Sequence, residues 1–213
     1  MGDEVGNFWG YKTIDVALNC DYENAQGECA PDGQWIIEGA DGQPKTYFDL
    51  ALDDRQVIGN GVPDHNISWN NTFRYKNFDL NIFLRGAFGF QLVNETRLFY
   101  ENPTQTGINL LDTAFHDVYG KTVLNNEWQY MSYYVEDGDY VKIDNITLGY
   151  TLDLNSLGVS YARLYVSGRN LHTFTNYSGL DPEVDVSGLT PGYDGRGRYP
   201  TTRTFSFGVN LRF

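Results

Sequence analysis

Carboxylates are the most plentiful reactive groups in this 213-residue chain. Glu136–Asp137 and Asp53–Asp54 stand as adjacent pairs. Work on a glycosidic bond needs two carboxyls facing each other across a substrate at a set separation, and sequence neighbours on a polar stretch do not supply it. Asp49 to Ile58 (DLALDDRQVI) also gathers acids. A calcium loop needs oxygen ligands at alternate positions and a central glycine. Leu50, Ala51 and Leu52 break that spacing, and no glycine lies inside it. His116 has no second ligand at helical spacing. Cys20 and Cys29 are the only cysteines and have no histidine nearby to complete a zinc set. A small loop disulfide is one reading of that pair, and two free thiols the other. No nucleophile elbow, phosphate loop or zinc motif is present. The expectation is a protein that is not an enzyme and needs no metal or cofactor.

The elements that would carry other chemistry are strands. Aromatic residues reach 15%, with 23 glycines, a composition that favours β structure. The net charge of −13 and pI of about 4.4 make nucleic acid an unsuitable partner, because such binding rests on Lys and Arg against phosphate. The acidity is uneven: residues 1–65 hold 13 acids against 3 bases, and 66–213 hold 15 against 12. The first part therefore reads as an irregular, solvated acidic region. Within it, Phe8 to Leu18, Gln34 to Glu38 and Thr46 to Leu52 are candidate strands between turn-rich stretches. Mean hydropathy is −0.44, and no run approaches the roughly 18–20 apolar residues of a membrane helix. A barrel, whose signal is about ten alternating residues per strand, is not excluded. The start, MGDEVGNFWG, has neither the basic head nor the apolar core of a signal peptide. Taken literally that favours the cytoplasm, unless Met1 lies within a longer chain.

From Asn66 the pattern turns regular. Ile67, Trp69, Phe73 and Tyr75 share one parity; after a short turn near Lys76–Asn77, Leu80, Ile82, Leu84, Phe88 and Phe90 share another. Two such runs with almost no connection predict a hairpin. A long excursion over 91–138 follows, with a short helix expected over Leu110 to Tyr119. Ile146, Leu148, Tyr150 and Leu152 form the next apolar parity, and Val141 and Ile143 fall out of phase with it, which predicts a bulge near Asn145. Ala162, Leu164 and Val166 follow a short connection. A second long loop over 173–203 leads to TFSFGVNLRF, in which Phe205, Phe207, Val209, Leu211 and Phe213 alternate with small or polar residues.

Arg74, Lys76, Asp79, Arg85, Asp153, Arg163, Arg169 and Arg212 all lie on the polar parity. Either a barrel facing lipid or a sandwich core would exclude charge from the other side. The connections separate the two: they alternate short, long, short, long, as in outer-membrane barrels with tight turns at one end and long loops at the other. The fold class expected is all-β, with antiparallel up-and-down strands forming the last part of a transmembrane barrel wall, long outside loops and short periplasmic turns. Five strands are too few to close a lipid-spanning barrel, so the chain reads as part of a larger wall. Residues 1–65 would be an acidic strand and loop region belonging to that barrel, and 66–213 its carboxy-terminal strands with two long extracellular loops.

YVKIDNITLGYTL (140–152), RLYVSGRNLHTFT (163–175), YSGLDPEV (177–184) and YPTTRTFSFGVNLRF (199–213) resemble the carboxy-terminal signature of SusC/RagA-type TonB-dependent outer-membrane transporters. NTFRYKNFDLNIFLRGAFG (71–89) is similar to the hairpin that precedes it in that family, and FWGYK and VIGNGVPD extend the likeness loosely over 1–65. The sequence departs from the family where DLALDDRQ stands in place of an Asp/Asn/Gly-rich loop, and in lacking a plug domain, a TonB box and most of the barrel strands.

The resemblance implies a location in the cell outer membrane and import of oligosaccharides or peptides, by an assembly in which this segment is not active alone. It implies a SusD-like surface lipoprotein as a lid, the TonB–ExbB–ExbD complex acting through the missing parts, the barrel-assembly machinery and outer-membrane lipid as partners. Tyr177, Asp181, Glu183 and Asp185 would lie in an outside loop, where a ring can stack on a sugar and carboxylates can accept from its hydroxyls; the competing reading is a structural loop motif. Phe207, Leu211 and Phe213 would serve as the recognition signal for barrel assembly. The rival fold is a soluble, secreted β-sandwich that binds carbohydrate.

Overall fold

The computed structural model describes residues 3–102, 107–115, 129–154, 159–184 and 190–212. It divides into two compact units. Unit 1 comprises residues 1–62, 90–137 and 183–198, and unit 2 residues 63–89, 138–182 and 199–213. Each unit therefore gathers stretches from both sides of residue 65.

Unit 2 is a five-stranded antiparallel meander. Its strands are β6 (His65–Tyr75), β7 (Phe78–Phe88), β10 (Tyr140–Leu154), β11 (Val159–Thr175) and β13 (Thr204–Arg212), in the order β13-β11-β10-β7-β6. β6 and β7 pair from His65↔Phe88 to Tyr75↔Phe78 without a slip. Lys76, at φ 52°, takes the left-handed conformation of their tight turn. The expected bulge is present: Ile143 faces Leu84 and Asn145 faces Phe83, so Asp144 is the extra residue. On the other side Ile143 faces His172 and Asn145 faces Arg169, with Asn170 between them at φ 53°.

This register puts Phe73, Leu80, Leu148, Val166 and Phe207 in one apolar row, and Tyr75, Phe78 and Tyr150 in the next, with Phe78 and Tyr150 in ring contact at 4.6 Å. Leu80, Tyr150 and Val166 are half-buried, and the others stay exposed: Phe207 is 84% accessible, Tyr75 72% and Leu148 44%. A sandwich would bury such a face under a second sheet. The structure has the antiparallel wall of a barrel-type protein instead, with Thr204–Arg212 along its edge.

Unit 1 holds a buried core. Tyr11, Val16, Trp35, Ile37, Leu98, Met131 and Tyr134 form its main cluster, and Ala17, Ala30 and Ile36 a smaller one. Phe8 to Leu18 is two strands rather than one: β1 (Asn7–Gly10) pairs with β5 (Gln56–Asn60), while β2 (Thr13–Val16) joins β3 (Trp35–Glu38) and β4 (Pro44–Lys45). The chain breaks at Tyr11, whose N–H bonds to the Tyr130 carbonyl. Thr46 to Leu52 is not a strand. Its local hydrogen bonds, Asp49 N–H to the Thr46 carbonyl and Leu50 N–H to that of Tyr47, close a 3₁₀ turn over Tyr47–Asp49.

The 91–138 excursion is more ordered than its sequence suggests. β8 (Gln91–Asn94) pairs with β9 (Val135–Asp137) and, in parallel, with β12 (Tyr193–Asp194). Helix α1 (Glu95–Tyr100) follows β8 directly, capped by the Asn94 side chain accepting from the Arg97 N–H. Within the expected helix over Leu110 to Tyr119, Asp112–Phe115 forms a 3₁₀ turn; His116 and the residues after it lie outside the described residues.

Candidate functional site: the polar face of the sheet

The second face of unit 2 is polar across all five strands. In register, Thr72, Asn81, Thr147, Ser167 and Ser206 form one cross-strand row. Asn81 donates to Thr72 Oγ1 at 3.0 Å and to Asn70 Oδ1 at 2.8 Å, and the Thr147 and Ser167 hydroxyls lie 2.9 Å apart. The next row runs Arg74, Asp79, Gly149, Tyr165, Gly208. Arg163 reaches over Gly149 to grip Asp79 with two bonds, Nε to Oδ1 at 2.8 Å and a terminal nitrogen to Oδ2 at 2.5 Å. A Cβ on Gly149 would lie 2.4 Å from Arg163 and 2.5 Å from Asp79, so the missing side chain makes room for that pair. Arg74, Lys76, Asp79, Tyr161, Arg163 and Asn210 line a recess of about 550 Å³ here. Higher up, Arg85 Nε holds the bulge carboxylate of Asp144 at 2.8 Å.

The loop beyond β11 is anchored to the sheet. The Tyr177 N–H donates to Thr175 Oγ1, and its ring is buried against Gly179, where a Cβ would come within 2.3 Å. Asp181 accepts from the Thr201 hydroxyl, and its carboxylate lies 3.9 Å from Nζ of the buried Lys142. In unit 1, the Glu183 carbonyl accepts from Arg198 at 3.2 Å. The structure thus seats Tyr177 and Asp181 in packing and hydrogen bonding. Asp185 and Phe213 lie outside the described residues. Phe207 and Leu211 stand on the exposed apolar face, at 84% and 54% accessibility.

Unit 1 spends its acids on itself. Asp54 is buried and accepts from Lys45 Nζ at 2.7 Å, the Ala51 N–H at 2.8 Å and the Ala40 N–H at 3.0 Å. Burial works against its charge, but these bonds outweigh burial and hold the carboxyl below its usual value. Asp49 accepts from the Ala25 N–H and the Thr46 hydroxyl. Glu136 accepts from Arg97 at 2.9 Å and Asn94 at 3.0 Å. Arg97 also holds Glu101 through Nε at 2.8 Å, over the Tyr133 ring at 4.7 Å. Burial alone would lower the Arg97 pKa; the two glutamates outweigh it and raise it. Composition hides this cluster, although the i,i+4 spacing of Arg97 and Glu101 is a visible trace of it. Cys20 and Cys29 are joined as a disulfide. Among the described residues they and Glu23 are the one grouping with metal-ligand character, and the bond uses both sulfurs.

No family model matches the chain. TonB-dependent receptor P3 of Formosa agariphila is 34% identical over 233 residues, covering 100% of this chain and 22% of the receptor. TonB-dependent receptor SusC of Bacteroides thetaiotaomicron is 27% identical over 168 residues, covering 75% of this chain and 16% of the receptor. The chain thus spans less than a quarter of the length of these relatives. Among solved structures, the RagAB peptide transporter aligns over 96% of this chain and 22% of its own, with a TM-score of 0.72 at 22% identity. The RagAB peptide importer in its closed-closed state aligns with a TM-score of 0.71 at 21% identity.

Proposed function

We propose, on the premise that this chain is a relative of the TonB-dependent receptors of the SusC/RagA type, that its sheet is a section of the wall of an outer-membrane importer. The apolar face is turned to lipid and the polar face to the lumen. One observation carries this reading: five neighbouring strands of one sheet expose large apolar side chains on one side while every described charged side chain of the regular register lies on the other. Lipid is the solvent that accepts such a face, and an aqueous lumen suits its reverse. Residues 66–213 supply the wall and two long outside loops, and 1–65 an acidic strand and loop region belonging to the same barrel. The cargo is an oligosaccharide or a peptide. A SusD-like lipoprotein covers the outer mouth, and TonB–ExbB–ExbD drives import through parts of the receptor other than this wall. Phe207 and Leu211, with Phe213, present the closing strand to the barrel-assembly machinery. Tyr177, Asp181 and Glu183 serve the outside loop as anchors, with cargo contact a secondary role.

Cysteine substitution in the membrane-embedded receptor tests the orientation. A cysteine at Leu148 or Val166 is expected to be quenched by a lipid-chain probe and to resist a water-soluble maleimide; one at Thr147 or Ser167 is expected to do the reverse. Equal labelling of both sets overturns the proposal.

A further inference from the structure

We propose that one cross-strand row of the polar face, Asn70–Phe83–Asn145–Arg169, is a binding subsite for an acidic sugar, meaning a saccharide that carries a carboxylate or sulfate. The inference deepens the importer reading and rests on it.

Phe83 is the anomaly that points there. Its row faces the polar side, and among the described residues it is the one phenylalanine on that side of the five strands. An apolar ring on a wet face gains nothing by packing on water. Phe83 is only half-buried there, between polar rows: Asn81, Thr72 and Thr147 lie on one side, Arg85 and Ser68 on the other. It makes no ring contact among the described residues. Instead it forms part of the floor of a recess of about 460 Å³, lined also by Asn70, Asn81, Asn145, Thr147 and Arg169. Asp144 lines it too, but Arg85 neutralises that carboxylate at 2.8 Å.

The groups around the ring suit a saccharide. A pyranose has one face of C–H bonds that can lie on an aromatic ring, and its edge is a fringe of hydroxyls. Amide side chains offer both a donor and an acceptor to such hydroxyls. Asn81 uses its amide nitrogen on Asn70, Asn71 and Thr72, and no described group donates to its oxygen. Asn145 is oriented by Thr147, which donates to its oxygen at 2.9 Å. Preset amides of this kind lose little freedom on binding.

Arg169 sets the charge preference. It stands directly across from Asn145, and its guanidinium makes no hydrogen bond or ion pair among the described residues. Arg163 and Arg85, on the same face, are each matched to an aspartate. A planar, unmatched fork beside an aromatic floor fits a carboxylate or sulfate oxygen pair. The bulge at Asp144 and Asn170 adjoins this row on two strands, and bulges re-aim side chains next to sites.

The test uses the complete receptor in lipid nanodiscs and calorimetric titration. The probes are galacturonate and glucuronate trisaccharides, their methyl esters, a sulfated galactose disaccharide and triglutamate. At least one acidic saccharide should bind about tenfold more tightly than its neutral counterpart. Arg169→Gln should abolish that preference while leaving the neutral affinity in place, and Phe83→Ala should weaken both forms. Heat-modifiable migration checks that each variant forms a barrel. Equal binding of acid and ester, retention of the preference in Arg169→Gln, no binding by any saccharide, or binding of triglutamate alone each overturns the subsite. Maleimide labelling of a Thr147 cysteine separates the two levels. If label enters and no saccharide binds, the subsite fails and the lumen reading stands; if label is excluded, the lumen reading itself fails.

Discussion

The two units solve opposite problems. Unit 1 carries 22 acidic against 7 basic residues, and unit 2 carries 6 against 8, which together give the chain's 28, 15 and net −13. Unit 1 closes its own core: Phe8, Ile36, Ile37, Leu92 and Tyr134 are all at most 2% exposed. Unit 2 leaves its large apolar side chains outside and keeps its cations on the reverse face. A unit that buries its own apolar surface is stable in water by the ordinary hydrophobic gain. A single-layer sheet with one face apolar and one polar takes its stability from what lies against it. The contrast explains why an average hydropathy of −0.44 says little about either part.

The largest expected effect separates them. Arg97 is held by two carboxylates, of which Glu101 has a side chain only 3% exposed. Arg97→Ala leaves those charges uncompensated, and breaking a buried pair from one side costs about 3–5 kcal/mol. Limited proteolysis should then open residues 90–102 while strand protection across β6, β7, β10 and β11 persists in hydrogen exchange. If the sheet loses protection equally, the units are not independent in stability.

A slightly smaller effect tests the two faces of unit 2. Leu148→Arg puts a cation on the apolar face, where lipid-facing Arg costs about 2–4 kcal/mol near the midplane. Thr147→Arg, its neighbour on the polar face, should cost about 1 kcal/mol or less, mostly through the lost bond to Ser167. Urea unfolding of the folded receptor in lipid measures both. Equal costs would remove the distinction between the faces.

How much of this the sequence disclosed differs between the units for a physical reason. In unit 2 the side-chain period of two acts on both faces at once, so parity alone placed Trp69, Leu80 and Leu164 together, and the phase break at Ile143 located the bulge. In unit 1 the strands are two to five residues long and held by contacts far apart in sequence, such as Thr13 N–H to the Ser132 hydroxyl. No local period marks them. Thr46 to Leu52 read as a strand because its composition is apolar, and local turn bonds won. The candidate subsite fell between the two cases. Phe83 and Arg169 are both visible on the polar parity, but only the register across three strands sets them in one row.

Asp54 gives unit 1 an acid limit. Its folded carboxyl lies below the ordinary value of 3.8, so the stability it contributes is complete above about pH 4 and is lost as pH falls through the depressed value. Asp54→Asn should destabilise the 40–54 turn by about 1–3 kcal/mol at neutral pH. It should also flatten the acid limb, read from exchange protection at Ala51, whose N–H the carboxylate accepts. An unchanged acid limb would mean that the carboxyl is not preferentially charged in the folded state.

The smallest effect lies at the alkaline end of the same unit and completes the contrast. The Tyr130 phenol is pushed up to about 12, first by burial and then by the Glu95 carboxylate, to which its hydroxyl donates at 3.0 Å. A raised folded value means that the contribution is whole below about pH 10 and is lost as pH rises towards 12. Difference absorbance between the protein and Tyr130→Phe isolates this one phenol. Glu95→Gln should lower its titration point only part of the way towards 10, because burial is the larger cause and remains. A full return to 10 would make the carboxylate the main cause, and the excess acidity of unit 1, rather than its closed core, would then govern how its tyrosines titrate.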